Sequence, residues 1–328
     1  MIKVLLSALV LSLSFSSVAF AQEETQPEGE TKMKIEDAAD QKNKVEGDID
    51  QEITNARMRA ESGSKSKLSL STSIGYTGGS LDKPFGQKRP SLAGTPETQV
   101  TTSADIGLDA RYRWTKNDSF TAGTSFGLYT PFQGDVNGAE NQLNVFNPNI
   151  GYSRVGKVGL FQTTFGLTAD AGTSEESKSI DYLSGLGISY NALYTFTNGL
   201  TVGTSVAGGY NFYESDPGAV TKAGKGTKKP GYYGGDTRTL WTVAVYPYAE
   251  YSFNDTFSAR TVFGYFNWKH LYGDDNRYRL LQTFVYQSVG VGISVSRNIY
   301  LYPNIQFVPD NVRDDFTNVA LSATINMF

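Results

Sequence analysis

Residues 200–213 read LTVGTSVAGGYNFY. In an extended chain Leu200, Val202, Thr204, Val206, Gly208, Tyr210 and Phe212 share one face, and Thr201, Gly203, Ser205, Ala207, Gly209, Asn211 and Tyr213 share the other. The first face is mostly apolar and ends in aromatics. The second is small and polar. A strand of a water-soluble sandwich alternates in the same way, so the fold turns on whether the apolar face meets protein or lipid. The rest of the chain decides.

From Leu68 onward a period of two persists. Twelve strands are predicted, over 67–77, 100–114, 119–130, 144–155, 158–170, 180–196, 199–213, 238–253, 256–269, 280–295, 298–309 and 316–328. The connections alternate in length. The short ones carry the Asn, Asp and Gly of tight hairpins: TKND at 115–118, Gly156-Lys157, TN at 197–198, ND at 254–255 and RN at 297–298. The long ones, such as 78–99 and 214–237, are rich in Gly, Pro, Lys, Asp and Ser. A bacterial transmembrane barrel has this asymmetry, with short turns on one side of the membrane and long loops on the other. An open sheet is not viable in lipid, where edge amides find no water, so the strand at 316–328 is expected to close against 67–77.

The faces agree from strand to strand. Ala104, Ile106, Leu108, Ala110, Tyr112 and Trp114 oppose Ser103, Asp105, Gly107, Asp109, Arg111 and Arg113. Trp241, Val243, Val245, Pro247, Ala249, Tyr251 and Phe253 oppose Thr242, Ala244, Tyr246, Tyr248, Glu250 and Ser252. An arginine on the lipid face at mid-depth costs roughly 2–4 kcal/mol, a cost that a wet lumen removes. Aromatics on the apolar faces, among them Tyr112, Trp114, Phe120, Phe196 and Phe253, cluster beside the short turns, where an interfacial girdle belongs. The apolar side of LTVGTSVAGGYNFY is therefore read as facing lipid. The fold class is all-β, a membrane-spanning antiparallel up-and-down barrel of about twelve strands, with a short N-terminal segment that is helical or disordered.

Three parts follow. Residues 1–21 read as a cleaved signal peptide: Lys3, the apolar run VLLSALVLSLSF at 4–15, then Ala19-Phe20-Ala21. Residues 22–66 are polar and partly helical, with Ile35, Val45, Ile49, Ile53 and Ala56 at helical spacing. This segment reads as a plug inside a pore, a periplasmic coiled coil or a solvated tail. Residues 67–328 form the barrel. No stretch after the first twenty residues is long and apolar enough for a membrane helix.

Signal peptide, alternating turns and terminal Phe328 together resemble the bacterial outer-membrane β-barrels, in particular porin-like and small-solute channels. The resemblance covers 67–328. It implies residence in the outer membrane of a Gram-negative cell with both termini periplasmic. It also implies contact with outer-membrane lipid and the barrel-assembly machinery, to which a terminal Phe is the family's mark. Whether copies of the chain assemble stays open.

Chemistry is sparse. One His, no Cys, and no phosphate-binding loop, dinucleotide fingerprint or metal-ligand cluster leave no cofactor to expect. A net charge of −4 gives no support for nucleic-acid binding. Arg111, Arg113, Glu250 and Arg260 project toward the short-turn end of the lumen, with Asp105 and Asp109 nearer its middle. They form either a mixed-charge selectivity ring or a bracing salt-bridge network. In the loop KAGKGTKKPGYYGG (222–235), Lys222, Lys225, Lys228, Lys229, Tyr232 and Tyr233 are candidates for contact with lipopolysaccharide or a partner. His270, with Asp274 and Asp275 nearby, is the one candidate general base, but the His-x-Ser-Asn-Gly pattern of phospholipase barrels is missing. The expected function is a non-enzymatic passive pore for ions or small hydrophilic solutes. The alternative is a structural or surface-interaction barrel with a filled lumen.

Overall fold

The computed structural model describes residues 50, 53–92, 97–133, 143–216, 220–221, 224–225, 238–274, 276, 278–282 and 285–327. Residues 1–21, read as a signal peptide, and most of the polar N-terminal segment lie outside them, as does Phe328. Twelve antiparallel strands close into an up-and-down barrel. They are β1 (Leu68–Ser80), β2 (Ser103–Arg113), β3 (Asp118–Tyr129), β4 (Asn149–Val158), β5 (Phe161–Ala171), β6 (Tyr182–Thr195), β7 (Leu200–Tyr213), β8 (Thr239–Ser252), β9 (Phe257–Phe263 continued by Phe266–Leu271), β10 (Gln287–Ser296), β11 (Ile299–Phe307) and β12 (Asn318–Met327). Each pairs with its neighbours in sequence, and β12 closes on β1 from Leu70 opposite Met327 to Ser80 opposite Asn318. Among the described residues each of the twelve strands has a partner on both sides, as hydrocarbon demands.

Several strand boundaries depart from the sequence reading; the strand expected over 280–295 starts only at Gln287, while Leu281–Gln282 pairs separately with Trp268 and Lys269. The strand expected over 144–155 starts only at Asn149, because Pro148 has no N–H for a ladder; Leu143–Val145 pairs separately with β3. The hairpin expected at Gly156-Lys157 sits instead at Gly159-Leu160, with Lys157 still paired to Gln162. Gly159 has φ +61, the left-handed conformation a two-residue turn requires, and of the two glycines in VGKVGLF it is the one used.

The faces follow the alternation. Ile106, Ile188 and Val291 are 43%, 51% and 43% exposed, whereas Thr201 and Glu250 are 1% and 2% exposed. Apolar residues point out and polar residues point in, the reverse of a soluble barrel, so the outer surface is built for lipid. Aromatic pairs band it near the short turns: Trp114 with Phe120, Tyr194 with Phe196, and Tyr251 with Phe253. A second band, not anticipated from sequence, lies near the long loops. It includes Tyr210 with Phe212, Phe266 with Trp268, and the trio Tyr76, Phe85 and Phe132, whose rings are 5.1–6.2 Å apart. Two girdles bracket the apolar band, one at each interface.

Candidate lumen site and its plug

The N-terminal segment enters the barrel at the short-turn end and crosses the lumen. Its helix α1 (Ala56–Glu61) is short and starts at Asn55, whose Oδ1 accepts from the Met58 amide at 3.0 Å. Gln162 on β5 holds the approach. Its Oε1 accepts from the amides of Thr54 (2.7 Å) and Asn55 (3.1 Å), and its Nε2 donates to Thr54 Oγ1. Ile53 and Met58 are fully buried against Val155, Leu193 and Tyr248. At the far end of α1, Asn326 on β12 donates to the Ala60 carbonyl at 2.6 Å. Gly63 then turns the chain with φ +78, its carbonyl accepting from Arg297 at 2.9 Å. A Cβ there would lie 2.8 Å from Arg111 Nη1, so this turn needs glycine for both its conformation and its contact.

The six lumen residues singled out in the sequence fall into two groups. Glu250 on β8 and Arg260 on β9 are cross-strand partners facing α1. Arg260 lies over the rings of Tyr248 (5.1 Å) and Tyr302 (4.9 Å), and Arg57 of α1 also lies over Tyr248, at 5.1 Å. Arg57 is bonded to Glu61 one turn later, at 2.5 Å. Burial pulls the Arg57 guanidinium down, but Glu61, Tyr248 and Glu250 outweigh it and hold it above its ordinary value. Burial pushes the Glu61 carboxyl up even with Arg57 beside it. Glu250 Oε1 accepts from Ser258 at 2.6 Å, and its Oε2 has no partner among the described residues.

Arg111 and Arg113 stand on β2, six strands from β8 in a ring of twelve and so across the lumen. Arg113 donates to the carbonyls of Ser62 (2.5 Å), Ser64 (3.0 Å) and Lys116 (3.2 Å). Both arginines are more than nine-tenths buried. Asp105 and Asp109, further up the same face, are half-buried, and Ser103 donates to Asp105. The structure thus brings Glu250 and Arg260 together and sets Arg111 and Arg113 opposite them, with the N-terminal segment between.

The remaining candidates lie elsewhere. His270 is buried at the long-loop rim, stacked on Trp241 at 5.6 Å, and its Nδ1 is 2.9 Å from the Arg279 carbonyl. A carbonyl only accepts, so Nδ1 carries the proton. Asp274 pairs with Arg279 rather than with the imidazole, and Asp275 is outside the described residues. Lys225 belongs to a two-residue ladder with Val220–Thr221; Lys222, Lys228, Lys229, Tyr232 and Tyr233 are outside the described residues.

Sequence reasoning missed several contributors. Gln162, Asn326 and Asp50 were read only as parts of a wall or tail, and Arg297 only as a turn residue. The long loop expected over 78–99 folds in at the long-loop end. Its strands Lys88–Pro90 and Gln99–Thr101 pair, Asn318 donates to the Pro90 carbonyl, and Arg89 donates to Gln306 at 3.1 Å. Burial pulls the Arg89 guanidinium down to about 10.

The fold and its lipid-facing belt define a membrane-spanning β-barrel with part of its N-terminal segment in the lumen. No protein-family model matches the chain, nor does any curated protein. Among solved structures, an outer-membrane channel from Pseudomonas putida F1 is similar with a TM-score of 0.48, 8% identity, and coverage of 80% of this chain and 96% of that one. The NanC porin gives 0.40, 11% identity, and 78% and 97% coverage. OmpF of Salmonella typhi, in complex with daunomycin, gives 0.37, 9% identity, and 79% and 97% coverage. With TM-scores below 0.5, none of these likenesses bears on what the barrel does.

Proposed function

We propose that this protein is an outer-membrane pore for ions or small hydrophilic solutes, closed at its periplasmic end by its own N-terminal segment. Both termini and the short turns are taken to be periplasmic, the side on which a secreted chain arrives. Solute moves down its gradient through a polar lumen, so no catalyst is needed. Asp105, Asp109, Arg111, Arg113, Glu250 and Arg260 bias which charges pass.

The observation that carries this reading is the character of the plug's seat. Its apolar footing is small, Ile53 and Met58 on three wall residues with Ala60 against Tyr300 and Tyr302. Elsewhere the contact is polar. Buried Nε and Nη2 of Arg57, Nε and Nη1 of Arg111, Nε of Arg113 and Nε of Arg260 have no hydrogen-bond partner among the described residues. A seat held mostly by polar contacts over so small an apolar footing costs little to break in a wet lumen, where water replaces each hydrogen bond. This seat fits an element that leaves.

Single-channel recording tests the proposal. The mature chain should show small or rare conductance steps, and a chain lacking residues 22–64 should show larger, lasting ones. A bilayer that stays silent with both proteins would favour the second reading, a structural barrel whose lumen the buried Ile53 and Met58 help to fill.

A further inference from the structure

We propose that Arg111 and Arg113 form a site for a small dissolved oxyanion, a carboxylate or phosphate, that competes with the turn at 62–64 and so unseats the N-terminal segment. The inference rests on the reading of that segment as a displaceable plug.

Two guanidinium groups lie two residues apart on one lumen face of β2, both more than nine-tenths buried. Neither forms an ion pair among the described residues. Arg113 is met by three neutral carbonyls, which accept hydrogen bonds but leave its charge uncompensated. Arg111 lies against Gly63, with Nε and Nη1 unpartnered among the described residues. Asp50, the acid on the neighbouring stretch of plug, is already engaged by Arg297 through two bonds of 2.8 Å and by Lys65 at 3.3 Å. Asp109 acts on Arg111 from two residues along the same face without forming an ion pair with it, and a buried charge with no paired counterion favours binding one. The planar fork of arginine matches the two oxygens of a carboxylate or phosphate, and two forks side by side define an oxyanion site.

The turn occupies that site in the closed state. Arg113 holds the carbonyls of Ser62 and Ser64 where anion oxygens would sit, and Gly63 covers Arg111. An anion therefore binds the unseated state in preference to the seated one. A ligand with that differential affinity shifts the equilibrium toward release. Solute of the right charge would thus open the pore that carries it.

The chain has no cysteine, so one thiol reports on the seat. Met58→Cys places it where the side chain is fully buried. The full mature chain is held in detergent free of phospholipid, so that no headgroup supplies the oxyanion. Maleimide alkylation is then timed in phosphate and in chloride at equal ionic strength. Alkylation should run several-fold faster in phosphate, and Arg111→Gln should remove that difference. Arg111 makes no hydrogen bond to the plug, so its replacement leaves the seat's bonds in place; Arg113→Gln is the harsher companion. Equal rates in the two salts would overturn the proposal without need of any wall variant, as would a phosphate effect that survives Arg111→Gln. A phosphate effect in a protein silent in bilayers would keep this site and remove the pore.

Discussion

Arg297, in the short turn between β10 and β11, grips Asp50 through two hydrogen bonds of 2.8 Å, tying a residue beyond 290 to the chain before α1. The pair is nearly buried, with side-chain exposures of 12% and 3%. Arg297 also holds the Gly63 carbonyl, so one side chain clamps the segment on both sides of α1. Removing one member of a buried pair costs up to about 3–5 kcal/mol, and less here because Lys65 at 3.3 Å still meets Asp50. Arg297→Gln should therefore free the N-terminal segment for proteolysis while the barrel keeps its folded mobility in unheated gel electrophoresis. A segment as resistant as the wild type would show that the clamp does not hold the plug.

Gln162 and Asn55 secure the other approach, and their losses should differ in size. Asn55→Ala removes the N-cap of α1 and should loosen the segment by about 1 kcal/mol. Gln162→Leu takes the acceptor from two backbone amides at once, at about 1–3 kcal/mol for each buried donor left unmet. Protease protection of the segment should rank wild type above Asn55→Ala above Gln162→Leu.

The barrel was legible in sequence because lipid on one side makes the period of two persist through every strand, as in β7, where Val202, Tyr210 and Phe212 are exposed and Thr201 and Asn211 buried. Errors arose where local chemistry offered two solutions. VGKVGLF has two glycines, and the choice of Gly159 depends on register with β3, which lies outside the stretch itself. The lumen residues were legible as a face but not as a site. Nothing in the spacing of Arg111 and Arg113 shows that the carbonyls of 62–64 lie over them, because that contact spans about fifty residues of chain and forms only once the barrel has closed. Ile53 was visible as part of a narrow helical stripe, but its wall partners Val155, Leu193 and Tyr248 come from β4, β6 and β8.

Glu61 should make the seat pH-dependent. Burial raises its carboxyl in the seated state, against the pull of Arg57 and Arg260 and with Glu250 adding to the rise. A raised carboxyl binds its proton more tightly when seated than when free. Its contribution to seating is therefore complete below the ordinary glutamate value and is lost as pH rises through the seated one. Alkylation of Met58→Cys, corrected for thiolate content, should quicken as pH rises through the seated value, and Glu61→Gln should flatten that rise. The opposite slope, with release in acid, would show that the Arg57 pair outweighs burial.

Arginine substitutions along a single strand test the lipid belt. Val291 lies on the outer face of β10, 43% exposed and opposite Ala259. Val295 lies on the same face, beside the short turn at 297–298, and is 57% exposed. In water the two positions are alike, and arginine is tolerated at both. In a bilayer depth separates them: Val291→Arg puts a charge near the middle of the hydrocarbon, at roughly 2–4 kcal/mol, and Val295→Arg puts one near the interface, at about 0–1 kcal/mol. Urea unfolding in phospholipid vesicles should reveal that gap. Equal costs at the two depths would mean that hydrocarbon does not wet this face, and the outward-facing valines would then need a protein partner instead.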